Sequence, residues 1–175
     1  MSARQEELLE RAYEYVLDHG IGTLSLRPLA QAIGSSPRVL LFLFGSKDGL
    51  IRALLARARV EQLALAAGRA DTATAVWDWL ADRRHRPLVT FWLESYARSL
   101  AEPDGPWAGF AKQSVSDWLT VLADAQPGNA TMTLAVLRGA LLDFLATGDT
   151  ARVTAAVHQA LTDATSGSRT GATPT

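Results

Sequence analysis

The stretch TLSLRPLAQAIGSSPRVLLFLF, residues 23–44, decides the fold. Two short segments with helical periodicity flank Gly34-Ser35-Ser36. In the first, Leu26, Leu29, Ala30 and Ile33 fall at i, i+3, i+4 and i+7, the spacing of one helix face. Ser25 stands where an N-cap is needed, and Pro28 falls in the first turn, where its missing N–H is tolerated. In the second, Ser35 or Ser36 caps the start and Pro37 follows near the first helical position. Leu40, Leu43 and Phe44 form its inward stripe, while Arg38, Leu41 and Phe42 share another face. Two short amphipathic helices joined by a tight glycine turn make a helix-turn-helix, expected over about residues 25–44.

Outward from this pair the pattern stays helical. Leu9, Ala12, Tyr13 and Val16 give a helix from about Arg4 to His19, closed by Gly20. Gly45 ends the second short helix, and Ser46 caps a long one from Lys47 to Ala67. Further helices are expected over Asp71–Arg83, Pro87–Ala101, Trp107–Ala125, from Asn129 to Ala146, and from Asp149 to about Thr165. Glu102-Pro-Asp-Gly-Pro106 and Pro127-Gly128 are the clearest breaks. Alternating β-branched runs are missing, so the expected class is all-α. Residues 166–175 are small and polar and are expected to form a disordered tail.

Composition excludes several classes. The 175 residues are 48% hydrophobic with a formal net charge of -1, so a core is affordable in apolar material and bulk charge advertises no polyanion partner. Charge is unevenly spread: residues 1–60 hold 8 basic and 6 acidic groups, a net of +2, and the rest sums to -3. The sign fits an N-terminal part that approaches phosphate. With no cysteine there is no disulfide, thiol chemistry or Cys-ligated zinc. His19, His85 and His158 lack ligand spacing, and no cofactor is expected. The charged residues of 1–18 do not form a signal peptide. No apolar run long enough for a bilayer is expected, the longest being Val39 to Phe44. A cytoplasmic protein is the expectation. No nucleophile, base and orienting group cluster at recognisable spacing, so no enzyme is expected.

The run from Gly22 to Leu50 resembles the DNA-binding domain of the TetR family of transcriptional regulators. The matching positions are Leu29-Ala30, Ile33-Gly34, Ser36, Leu40, Phe44, Ser46-Lys47 and Leu50. Residues 134–161, containing LRGALLDFLATGD, resemble the final helix pair of many members. The resemblance implies a helix-turn-helix domain over 1–46 and an effector-binding and dimerisation domain over 47–165. It implies a homodimer on a palindromic double-stranded operator, released by a small molecule. Carried over by position, Ser25, Leu26 and Arg27 would touch phosphate. Ser36, Pro37, Arg38, Val39, Leu41, Phe42 and Leu43 would lie on the DNA-facing helix, with Lys47 clamping the backbone behind it.

The sequence departs from the family at that helix. A tyrosine usually stands at position 41, hydrogen-bonding groups at 42 and 43, and often threonine at 39. Here these are Leu41, Phe42, Leu43 and Val39. Fewer phosphate contacts imply modest, salt-sensitive affinity resting on Arg27, Arg38 and Lys47, with apolar groups left to touch thymine methyls. A helical ligand-binding or protein-interaction relative with weakened DNA binding is the alternative.

The middle of the chain holds most of the large aromatics. Ordinary core accounts for most of them, and Trp92, Tyr96 and Trp118, with Asp143 as a polar group, are candidates to line a cavity for a small hydrophobic or aromatic effector. Glu94 and Arg98 read as a surface pair. Leu134, Leu137, Leu141 and Leu145 make one stripe, and Val153, Val157 and Leu161 another. Both are expected at a four-helix dimer interface.

Overall fold

The computed structural model describes residues 2–67, 72–125 and 128–167. Nine α-helices and no strand occur among them, in keeping with the all-α expectation. They are α1 (Ala3–His19), α2 (Leu26–Ala32), α3 (Pro37–Phe44), α4 (Lys47–Ala67), α5 (Ala73–Ala81), α6 (Arg86–Ala101), α7 (Phe110–Ala125), α8 (Ala130–Thr147) and α9 (Thr150–Gly167).

Local chemistry sets where these helices begin. The side chains of Ser2, Ser36, Ser46 and Thr72 each accept a hydrogen bond from the backbone N–H three residues on. Asp149 does the same for Arg152 N, at 3.1 Å. Each cap is worth about 1 kcal/mol, whereas each fully buried leucine is worth about 2 kcal/mol. Caps therefore place the helix ends, and the core holds the helices.

Three boundaries differ from expectation. Ahead of α5, Asp71 lies outside the described residues; at its far end, Asp82 leaves helical geometry and its carboxylate accepts from Arg84 N at 2.9 Å, nucleating a short 3-10 turn over Arg83–His85. Trp107 precedes α7 rather than starting it, because Gly109 takes a positive φ of 75° first. Helix α9 runs to Gly167, two residues into the stretch expected as a tail; 168–175 lie outside the described residues.

The chain divides into two compact units that do not follow one linear boundary. The first comprises residues 1–64 with 87–115. Its core is built from Leu8, Ala12, Tyr13 and Val16 of α1, Leu29 and Ala30 of α2, Leu40 of α3, Leu50 and Leu54 of α4, and Phe91 of α6. Tyr13 meets Phe91 edge-on at 6.0 Å.

Within this unit α6 grips the loop between α1 and α2. Glu94 Oε2 accepts from Ile21 N at 3.1 Å and from Gly22 N at 3.2 Å. One turn on, Arg98 Nη2 donates to Gly22 O at 2.9 Å while its Nη1 pairs with Glu102 at 2.7 Å. Glu94 and Arg98 are thus not the surface pair expected from their spacing. The loop passes close enough that a Cβ on Gly20 would lie 3.3 Å from Glu94 Oε1, and Gly20 has φ +80°.

The second unit comprises residues 65–86 with 116–175, in which α5, α8 and α9 pack on one another. Trp77 is fully buried at its centre, with Nε1 donating to Thr154 Oγ1 at 3.0 Å and Phe144 against its ring edge. Leu134, Leu137, Leu141, Val153, Val157 and Leu161 are all buried within the single chain, and Leu145 is half-buried. This corrects the expected interface. Those stripes form the unit's own core, because α5 supplies the apolar surface that a second chain was expected to supply. The opposite face of α8 stays uncovered: Met132, Ala135, Gly139, Leu142 and Ala146 are exposed. Helix α8 is also apolar on average, with a mean hydropathy of 1.4 over Ala130–Thr147, 28% of it buried, though it carries Arg138 and Asp143. By length and composition it could cross a membrane, contrary to the expectation that no run could; its leucine face packs instead on α5 and α9.

Candidate nucleic-acid interface

The turn between α2 and α3 is built by hydrogen bonds that the sequence encodes locally. Gly34 takes φ +67°, a conformation that L side chains rarely adopt. That lets Ser35 N reach Ala30 O at 2.8 Å and Gly34 N reach Gln31 O at 3.3 Å, a Schellman closure of α2. Ser36 immediately caps α3, its Oγ accepting from Val39 N at 3.3 Å, with Pro37 at the first helical position. Stop and start signals on consecutive residues force the chain to change direction between the two helices.

Side chains from α1 fix the pair in place. Arg11 Nη1 donates to Ile33 O at 3.3 Å, satisfying a carbonyl at the end of α2. Gln5 Nε2 donates to Leu43 O at 2.9 Å, doing the same for α3. Neither residue stands out in the sequence, because each acts on a partner more than twenty positions away. Leu40 is the buried anchor of α3, and Leu43 and Phe44 are half-buried beside it.

The other side of α3 is open. Arg38, Val39, Leu41 and Phe42 are exposed, and Phe42 is 84% exposed, extreme for a phenylalanine. Ser36 and Pro37 are half-buried at the helix start. On α2, Ser25 holds the N-cap position with extended backbone but makes no side-chain cap bond, so its hydroxyl is not committed to the helix. Leu26 is half-buried and Arg27 exposed.

Lys47 is exposed at the first position of α4. A cation there opposes the helix dipole, so it contributes little to helix stability, and an anion arriving at that terminus would meet the lysine, with Gly49 N already capped by Ser46 and Asp48 in the same turn. Arg27, Arg38 and Lys47 form no ion pair among the described residues. From His19 through Lys47 the chain contains no acidic residue. The segment from His19 to Lys47 therefore supplies three exposed cations and no carboxylate; the first acidic side chain after it is exposed Asp48, in the first turn of α4.

The residues expected to contact an effector are less unified. Trp92 is buried, its Nε1 donating to Ser114 Oγ at 2.7 Å, and its ring lies 5.1 Å from that of half-buried Tyr96. The structure thus brings these two together. Trp118 is buried and belongs to the second unit. Asp143 sits in a surface network instead, where Arg152 Nη1 and Nη2 reach its two oxygens at 2.8 and 2.6 Å and hold its carboxyl below the usual range. No group of three potential metal ligands occurs among the described residues.

No protein-family model matches the sequence, and no curated protein is significantly similar to it. Solved structures do match. A protein of Rhodococcus sp. assigned as a TetR-family transcriptional regulator superposes with a TM-score of 0.68 at 20% identity, covering 91% of this chain and 97% of its own. SCO7518 of Streptomyces coelicolor A3(2), assigned as a transcriptional regulator, gives 0.70 at 18% identity over 92% and 99% of the two chains. The multidrug-binding protein EbrR, complexed with proflavin, gives 0.64 at 23% identity over 89% and 98%. Over nearly its whole length, the chain has the fold of a TetR-family transcriptional regulator.

Proposed function

We propose that this protein is a sequence-specific, DNA-binding transcriptional regulator, a repressor released by a small molecule. The observation that carries the reading is the open face of α3, which is anchored only through its inner stripe and is flanked by Arg27, Arg38 and Lys47 in a segment free of acidic residues. Residues 1–46 act as the DNA-binding part. Ser25, Leu26 and Arg27 meet the phosphate backbone, and Ser36, Pro37, Arg38, Val39, Leu41, Phe42 and Leu43 enter or border the major groove. Lys47 clamps the strand behind them. The remainder of the chain binds the effector and a second copy, and the protein works in the cytoplasm without catalysing a reaction.

Two recognition helices in successive major grooves require a dimer whose copies lie roughly 34–36 Å apart. The exposed face of α8 suits that purpose. Met132, Ala135, Gly139, Leu142 and Ala146 follow the three-four spacing of a coiled-coil seam, and a Cβ at Gly139 would meet only open space. Exposed Ala151 and Ala155 extend a small-residue surface along α9. The effector is a small hydrophobic or aromatic molecule acting at the Trp92–Tyr96 pair, a reading supported by the binding of proflavin to the structurally similar EbrR. It releases DNA by binding one spacing of the recognition helices more tightly than another.

Selection from random duplexes with the purified full-length protein tests the reading. A palindrome enriched with half-sites one helical turn apart is the expected result. Failure to enrich any palindrome would favour a helical ligand-binding or interaction protein instead.

A further inference from the structure

We infer that the exposed apolar side chains of α3, with Phe42 at their centre, read the C5-methyl groups of thymine in the major groove, so that methyl contact rather than hydrogen bonding supplies much of the sequence discrimination. The inference rests on the DNA-binding reading and specifies how the base pairs are read. Arg38, Leu41 and Phe42 fall at i, i+3 and i+4, one stripe along α3, and all three are exposed. Arg38 is the stripe's single strong hydrogen-bonding group and suits guanine or phosphate. Leu41 and Phe42 have no donor or acceptor beyond the backbone. The apolar feature that a major groove offers them is the thymine methyl.

A protein partner would also cover an apolar patch, but the rim favours DNA. Exposed Arg38 lies on the same helix as the patch, exposed Arg27 and Lys47 lie on the helices before and after it, and the segment from His19 to Lys47 contains no carboxylate, the first beyond it being Asp48. An aromatic ring that is 84% exposed in the free chain is desolvated on docking, and it loses no internal contact in doing so.

The test uses the full-length protein and the duplex it selects, with each thymine replaced in turn by deoxyuridine, which removes only the methyl. Anisotropy titrations on wild type and Phe42→Ala complete a double-mutant cycle. Burying one methyl is worth about a fourfold change in affinity. The expected result is one or more thymines per half-site where deoxyuridine weakens wild-type binding about fourfold, with that difference vanishing in Phe42→Ala. Deoxyuridine tolerated throughout the half-site, or a methyl effect that persists in Phe42→Ala, overturns the inference while leaving the regulator reading intact. If no duplex is enriched, both fail together. Phe42→Asp abolishing self-association in light scattering, with no change in DNA binding, identifies the patch as a protein interface and also overturns the inference. Because Phe42 is solvent-exposed, both variants are expected to keep wild-type circular dichroism.

Discussion

Replacing Glu94 with alanine tests whether α6 fixes the loop that leads into α2 and α3. A single oxygen of this carboxylate accepts from Ile21 N at 3.1 Å and from Gly22 N at 3.2 Å. Hydrogen bonds to a charged acceptor contribute about 1.5–3 kcal/mol each. Two effects reduce the total. The carboxylate is only half-buried, and Gly22 is half-buried, so water recovers part of the lost bonding there. Ile21 is 1% exposed, which limits replacement at its N–H. The expected loss for Glu94→Ala is about 2–3 kcal/mol. Glu94→Gln keeps an acceptor oxygen without the charge and is expected to lose about 1 kcal/mol. Urea unfolding followed by far-UV circular dichroism reads both. At a slope of about 2 kcal/mol per molar, the midpoint drops by about 1 M for alanine and about half that for glutamine. Wild-type midpoints in Glu94→Ala would refute the clamp, and equal losses in the two variants would refute the part assigned to charge.

Other outcomes follow from features of both units. Gly34→Ala places a Cβ on a residue at φ +67° and is expected to destabilise the first unit by about 1–2 kcal/mol in the same urea assay, with no compensation from packing. Arg38→Ala is expected to weaken operator binding and to reduce the slope of log affinity against log salt by about 1, measured by gel shift at several salt concentrations. Leu142, 53% exposed on α8, is expected to yield a monomer in light scattering when changed to glutamate, against the dimer expected of wild type at micromolar concentration. Asp143 is held below its ordinary value of 3.8 by Arg152, so its contribution to stability is present above that value and fades as pH falls below it. In Arg152→Ala, the carboxyl carbon resonance of Asp143 is expected to titrate at higher pH than in wild type.

Much of the fold is legible in the sequence because it is encoded over short distances. Residues 34–36 carry both a stop and a start, and the Schellman bonds and the Ser36 cap appear where those letters stand. Helix α4 begins at Lys47, directly after Ser46, and runs to Ala67, the bounds expected from the sequence. What escapes is long-range. Nothing near Glu94 announces that its partners are Ile21 and Gly22, and the i,i+4 spacing to Arg98 points to a simpler pairing. The apolar stripes of α8 and α9 are read correctly as buried, but periodicity carries no label for whose surface buries them. Trp77 and its neighbours on α5 take that role, which leaves the small-residue face of α8 outward. In the same way Asp143 beside Phe144 looks like a polar group near a cavity, until Arg152 on the next helix claims it.

The grip of Glu94 and Arg98 on residues 21 and 22 has a mechanical consequence. Both side chains leave one face of α6, a single turn apart, and both ends of the loop's peptide groups are held, N–H and C=O alike. A rotation of α6 about its own axis therefore cannot slip past the loop; it must drag Gly22 with it or break charge-assisted bonds. Since α2 starts only four residues later, such a rotation would tilt the entry to the turn that aims α3. Sensitivity of α3 to events on α6 is then a property of stiffness, set by two side chains that lie on neither α2 nor α3.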